Sequence, residues 1–191
     1  PQIADTLCGV SVRLSPRSFY QVNHDMAECL YRKAAEFADL DGSQTVLDLY
    51  CGTGTIGLSM ANRAKRIIGA EIVPAAVEDA RENARRNGIQ NAEFFCGDAK
   101  DAAARFQKDG IRPDVVLLDP PRKGCDEAVL RTVTEMCPQK IVYVSCDPAT
   151  LARDAARLSA LGYRTDRLCA ADLFPRTHHV ESVARMVKLE P

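Results

Sequence analysis

Two residues stand out for the chemistry they could perform. Cys146 sits in Val144-Ser145-Cys146-Asp147-Pro148, between an apolar run and a proline that suits a helix start. A thiol beside a helix N-terminus has its thiolate favoured, which is what a nucleophile requires. The bland alternative is a packed core thiol, the default for any lone cysteine. Cys51 is the rival, but it lies inside a glycine-rich loop, where packing beneath a ligand is the better role. Glu181, in Thr177-His178-His179-Val180-Glu181-Ser182, is a candidate general base near a cleft. The adjacent histidines admit a metal site in principle, yet no other ligands are evident, so no metal is assigned.

A second group suggests a ligand. Gly52, Gly54 and Gly57 spell G-x-G-x-x-G, and Glu71 follows Gly52 by 19 residues. Both facts fit a dinucleotide, with Glu71 on a ribose diol. They fit S-adenosylmethionine equally well, because it too carries a ribose diol. Asp48, just before the loop, tilts the choice: a carboxylate there can pair with a cationic methionyl group and would repel a pyrophosphate. Asp98 is placed to contact an adenine amino group, and is equally well read as a helix N-cap. Asp119 opens Asp119-Pro120-Pro121-Arg122-Lys123, where two prolines stiffen the chain and fix its carboxylate. Arg122 and Lys123 make a local cationic spot suited to a phosphate, or a solvated surface pair.

These residues fall at the ends of apolar runs. Strands are predicted at 45–49, 66–70, 92–95, 115–118 and 141–144. Helices are predicted at 24–39, 56–63, 74–87, 99–108, 126–136 and 149–161. Apolar strands alternating with helices imply a doubly wound α/β fold, with a mostly parallel sheet covered on both faces. The tail reads as two strands, 168–174 and 182–189, whose short link allows only an antiparallel pair. A β segment over 6–14 precedes the first helix, so residues 1–40 are expected to pack on a main domain of 41–191. Ligands of such folds bind at the carboxyl ends of the strands.

Composition narrows the class. The chain has 191 residues, 46% hydrophobic and 27% charged, as in an ordinary globular domain. Its net charge of −1 gives no global footprint for nucleic acid. No apolar run is long enough to span a membrane. The eight cysteines show no Cys-x-x-Cys spacing, so they read as reduced thiols of a cytoplasmic protein. The missing initiator Met suggests a piece of a longer chain.

Together the motifs resemble the RNA (uracil-C5)-methyltransferase family, which makes 5-methyluridine in transfer and ribosomal RNA. The resemblance rests on five motifs in order: Phe19-Tyr20-Gln21-Val22-Asn23, Leu47-Asp48-Leu49-Tyr50-Cys51-Gly52, Asp119-Pro120-Pro121-Arg122, Ser145-Cys146-Asp147-Pro148 and Phe174 to Glu181. It implies a Rossmann-like methyltransferase fold and S-adenosylmethionine as cofactor. Gln21, Tyr50, Glu71 and Asp119 become cofactor contacts, with Thr55, Asp98 and the Gly52 loop beside them. It also implies Cys146 as nucleophile, Glu181 as base and an RNA substrate. Many members carry an N-terminal RNA-binding barrel, and some an iron–sulfur cluster. Neither pattern is in this chain, so an upstream RNA-binding region is expected outside it. A cytosine-C5 RNA methyltransferase and a nicotinamide-dependent oxidoreductase remain as alternatives, with a non-catalytic RNA-binding module behind them.

Overall fold

A computed structural model describes residues 3–14, 21, 23–177 and 179–190. The chain begins with β1 (Ile3–Leu7) and β2 (Val10–Leu14), followed by α1 (His24–Ala38). Next come β3 (Thr45–Leu49), α2 (Thr55–Ser59), β4 (Arg66–Glu71), α3 (Pro74–Arg86), β5 (Ala92–Cys96) and α4 (Ala99–Lys108). The second half runs β6 (Val115–Leu118), α5 (Glu127–Glu135), β7 (Lys140–Ser145), α6 (Pro148–Ala160), β8 (Tyr163–Ala171) and β9 (Glu181–Lys188).

Seven strands form one sheet in the order β5-β4-β3-β6-β7-β9-β8. The first five are parallel, while β9 pairs antiparallel with both β7 and β8. The expected doubly wound α/β fold with a C-terminal antiparallel pair is therefore present. The strand order reverses between β3 and β6, so the loops after those strands part at a switch point.

Alternation along each strand builds the two faces. Leu47, Leu49, Val116, Leu118, Ile141 and Tyr143 pack with α4, α5 and α6. Val46, Ile67, Leu117, Val142 and Val144 pack with Leu30 and Phe37 of α1. Burying one such side chain stabilises the fold by about 1.5–3 kcal/mol. Asn23 starts α1: its side chain accepts from the Met26 N–H and donates to the Leu173 carbonyl, tying the β8–β9 link to this helix.

Three elements differ from the sequence reading. The β segment at 6–14 is a hairpin, because Cys8 (φ 50) and Gly9 (φ 79) both turn left-handed. The helix predicted at 56–63 stops at Ser59 and continues as a 3-10 turn, Ala61–Arg63. The strand expected at 168–174 runs instead from Tyr163 to Ala171. It is an edge strand, and its exposed Arg164, Asp166 and Arg167 conceal it from an apolar pattern.

Candidate active site

The switch-point cleft holds a cavity of about 690 Å³. Its walls are strand-end residues, brought in by the order of the sheet. From β3 come Tyr50, Gly52 and Thr55; from β4, Glu71; from β5, Asp98. From β6 come Asp119 and Arg122, from β7 Cys146, and from β9 Glu181; Gln21 closes the wall ahead of α1. Cys146, Glu181 and the cofactor contacts that the resemblance implies thus line one cavity, whereas Asp48 does not. Phe19, Tyr20 and Val22 of the first motif lie outside the described residues, as does His178.

The glycine loop is held by backbone geometry. Gly52 (φ 54) and Gly54 (φ 78) turn left-handed, as does Tyr50 (φ 66), whose ring thereby faces the cleft. A Cβ at Gly57 would lie 2.9 Å from Asp48 Oδ2 and 3.1 Å from Ile67 Cγ2, so the third glycine lets α2 press onto the sheet. Glu71 accepts from the Gly52 N–H at 3.0 Å and from the Val73 N–H at 2.9 Å. Each carboxylate oxygen keeps a second lone-pair direction for a ligand hydroxyl. Thr55 Oγ1 pairs with Thr53 Oγ1 at 3.0 Å, stiffening the same turn. Asp98 accepts from the Lys100 N–H at 2.9 Å, so it caps α4 and also borders the cavity.

Asp48 departs from the sequence reading. It is 1% exposed and lies beneath the loop, outside the cavity wall, so it cannot pair with a cationic ligand in the cleft. Burial pushes its carboxyl up to about 8, and Asp119 and Glu71 add to the rise. Cys51 is also buried, against Phe94 and Leu58, and burial raises its thiol well above the usual range. The packing role expected for it fits that setting.

The opposite rim is made by strand register. Ser145 pairs with Ser182 across β7 and β9. Just past that pair come Cys146, the residue after β7, and Glu181, the first residue of β9, whose charge acts on the thiol. Asp119 follows β6 on the neighbouring position. Glu181 is 4% exposed, and its carboxyl is raised by burial, with Arg122 opposing the rise. Asp119 is raised to about 7 by burial and by Glu181. Arg122 Nη2 lies 3.4 Å from both ring nitrogens of His179, which holds the guanidinium over this rim.

The thiolate expected at Cys146 is not favoured in this arrangement. Burial raises the thiol first, Glu181 raises it further, and Arg122 works against both. The helix N-terminus gives little help. Asp147 already accepts from the Ala149 and Thr150 N–H groups, and Pro148 has no N–H to offer. All eight cysteines are free thiols. Among the described residues there is no cluster that could hold a metal ion, and no helix is long and apolar enough to cross a membrane.

Asn23, which ends the first of the five motifs, also secures the β8–β9 link on which His179 and Phe174 sit, whereas the polar network centred on Asp154 was absent from the sequence reading. Asn23 carried a signal, since it precedes an apolar helical pattern. Asp154 carried none, because a charged residue within a helix usually faces solvent.

A parallel sheet with an antiparallel end, a glycine loop over a switch-point cleft and an acidic residue after β4 define a Rossmann-like α/β domain with a ligand cleft. Comparison with known proteins takes this further. The model of the tRNA (uracil-5-)-methyltransferase family matches residues 9–188. The chain belongs to that family. It is 52% identical to a protein of Halalkalibacterium halodurans described as an uncharacterized RNA methyltransferase, over 95% of this chain and 40% of the relative. It is 50% identical to another so described from Streptococcus pyogenes, over 97% of this chain and 40% of the relative. The chain thus spans about two fifths of the length of these relatives. Among solved structures, the tRNA (uracil-54, C5)-methyltransferase of Pyrococcus abyssi, in complex with S-adenosyl-L-homocysteine, matches with TM-score 0.83 and 35% identity. That match covers 97% of this chain and 44% of the other. Trm5b from Pyrococcus abyssi matches with TM-score 0.73 at 14% identity, over 98% of this chain and 55% of that one. At that identity the likeness concerns the fold alone.

Proposed function

We propose that this domain binds S-adenosylmethionine in the cleft and methylates C5 of a uridine in RNA through a covalent bond from Cys146. The observation that carries the reading is that Cys146, one residue past β7, and Glu181, the first residue of β9, line the same cavity beyond the Ser145–Ser182 pair. The cavity residues fit the cofactor. Glu71, which accepts one hydrogen bond on each oxygen, is assigned to the ribose diol, Asp98 to the adenine, and Tyr50 to an aromatic contact; all three line the cavity. Gln21, Asp119, Thr55 and the Gly52 loop line the same cavity as Cys146. When bound there, the cofactor supplies an electrophilic methyl group.

The chain's own residues do the rest. Uracil C5 is too weak a nucleophile to take a methyl group unaided. The Cys146 thiol first gives its proton to solvent water, and Sγ bonds to C6 while the C5–C6 electron pair moves into the carbonyl system as an enolate. The enolate makes C5 nucleophilic toward the sulfonium methyl that a bound cofactor would supply, and transfer would break the S–CH3 bond and leave S-adenosyl-L-homocysteine. Glu181 then takes the C5 proton, the C5–C6 double bond reforms, and the S–C6 bond breaks to release Cys146. A raised carboxyl suits Glu181 as a proton acceptor, since burial strengthens it as a base. Arg122 supplies the positive charge that lets a thiolate and a carboxylate share one rim. A uridine within folded RNA must be splayed from its stack to enter.

Transfer RNA is the substrate class that the family name favours, with ribosomal RNA as the second. Binding of the RNA body is assigned to parts of the protein beyond this domain, since the net charge of −1 provides no broad basic face. The test is to mix the protein, S-adenosylmethionine and RNA containing 5-fluorouridine. Fluorine at C5 cannot leave as a proton, so the covalent adduct should persist in denaturing gels. It should vanish in Cys146→Ala, and its absence from the wild-type protein would refute the mechanism. A persistent adduct with RNA containing 5-fluorocytidine but none with 5-fluorouridine RNA would move the assignment to cytosine.

A further inference from the structure

Beneath the catalytic rim, α6 directs one enclosed carboxylate at the loop that follows β6. Asp154 is 0% exposed. Its Oδ2 accepts from the Cys125 N–H at 2.8 Å and from the Tyr143 hydroxyl at 2.7 Å. Its Oδ1 accepts from Arg153 Nε at 2.9 Å and from Arg157 Nη1 at 3.2 Å. Arg153 extends the network, with Nη2 donating to the Lys123 carbonyl at 2.7 Å. Lys123 and Cys125 are thus both tied to α6. Gly124 between them has φ 76, and a Cβ there would lie 2.4 Å from Arg153 Nη2 and 2.5 Å from Asp154 Oδ2. The loop can take only this close seat, and only glycine fits it.

A buried carboxylate is expensive unless every lone pair is satisfied, and an apolar side chain would fill the same space more cheaply. The gain from Asp154 is therefore one of geometry. The residue immediately before the tied segment is Arg122, which lines the same cavity as Cys146 and Glu181 and whose charge acts on both. Asp154 itself does not reach the cavity wall.

We infer that Asp154 is a positioning residue: through Lys123 and Cys125 it fixes the loop that carries Arg122, and so sets the positive charge beside Cys146. The inference rests on the reading that Cys146 and Glu181 are the reacting pair. It predicts that loosening Asp154 lets Arg122 drift and leaves the Cys146 thiol facing Glu181 and Asp119 without its counter-charge.

The test reads the thiol and not the methyl transfer. The whole protein is alkylated with iodoacetamide across a pH series, and the Cys146 peptide is followed by mass spectrometry. Asp154→Asn should move the pH midpoint of Cys146 alkylation upward by about half a unit or more. In an Arg122→Ala background the same substitution should add no further shift. An unchanged midpoint in folded Asp154→Asn protein overturns the inference. So does an equal shift in the absence of Arg122, which would mark a general loosening. If circular dichroism shows that Asp154→Asn does not fold, Tyr143→Phe replaces it, since it removes one of the four donors to the carboxylate. A smaller upward shift that disappears with Arg122→Ala supports the inference, and no shift overturns it. Alkylation needs no RNA or cofactor, so failure of the uridine reading shows only in the 5-fluorouridine adduct.

Discussion

The two rims of the cleft are built in different ways. The glycine rim after β3 is made by backbone. Gly52 and Gly54 adopt left-handed conformations within three residues, and Glu71 ties the turn through backbone N–H groups. The opposite rim is made by side chains from three strand ends. Asp119, Cys146 and Glu181 lie far apart in sequence and meet because β9 inserts antiparallel beside β7. A binding loop that approaches a ligand closely needs conformations few residues allow. The rim proposed for the chemistry instead needs unlike groups near one another, and the order of the strands brings them to one cavity.

That difference can be broken at its chemical end first. Glu181→Gln keeps the size of the side chain and removes the proton acceptor. Methyl transfer should fall by about 10²–10⁴-fold, the usual contribution of a positioned general base. S-adenosyl-L-homocysteine affinity, measured by calorimetry, should stay close to that of the wild type. An equal loss of both would mean that the rims are not separable.

The glycine rim is sharpened by Gly57→Ala. The added Cβ would meet Asp48 Oδ2 at 2.9 Å and Ile67 Cγ2 at 3.1 Å, neither of which can move far in the core. Overpacking of this kind costs about 1–3 kcal/mol, measurable by urea denaturation. Cys146 alkylation should not change. A neutral substitution would show that α2 can lift from the sheet.

The two rims also differed in how plainly the sequence announced them. The glycines and Glu71 form a local pattern, because left-handed turns restrict residue type at fixed spacing. Cys146 and Glu181 could each be named, but nothing in their spacing said that they meet. That follows from the register Ser145 to Ser182. The edge strand β8 began five residues before its expected start, since Arg164, Asp166 and Arg167 face solvent at the sheet edge. The β1–β2 hairpin was hidden by Cys8, a residue type that seldom turns left-handed. Asp154 was silent for a related reason. A buried charge is recognised by its partners, and those lie on β7, the Lys123–Cys125 loop and α6 itself.

Asp48 gives the finest division between the rims, because it belongs to the glycine side yet titrates partly through Asp119 on the other. Its carboxyl stands at about 8 in the folded chain against an ordinary value of 3.8. Between those values the folded protein holds a proton that the unfolded chain has lost. Stability should therefore decline as pH rises through that window, by at most about 1.4 kcal/mol per unit for one such group. Below the unfolded value the residue contributes no slope, and above the folded value the loss is complete. Asp48→Asn cannot ionise, so it should remove about 1 kcal/mol of the decline between pH 6 and pH 7 in urea unfolding. Asp119, raised to about 7, keeps a residual slope in the variant. A slope identical to the wild type would show that Asp48 ionises freely. The carboxylate would then have access to water or a cation beneath the loop, and the glycine rim would no longer be a purely backbone device.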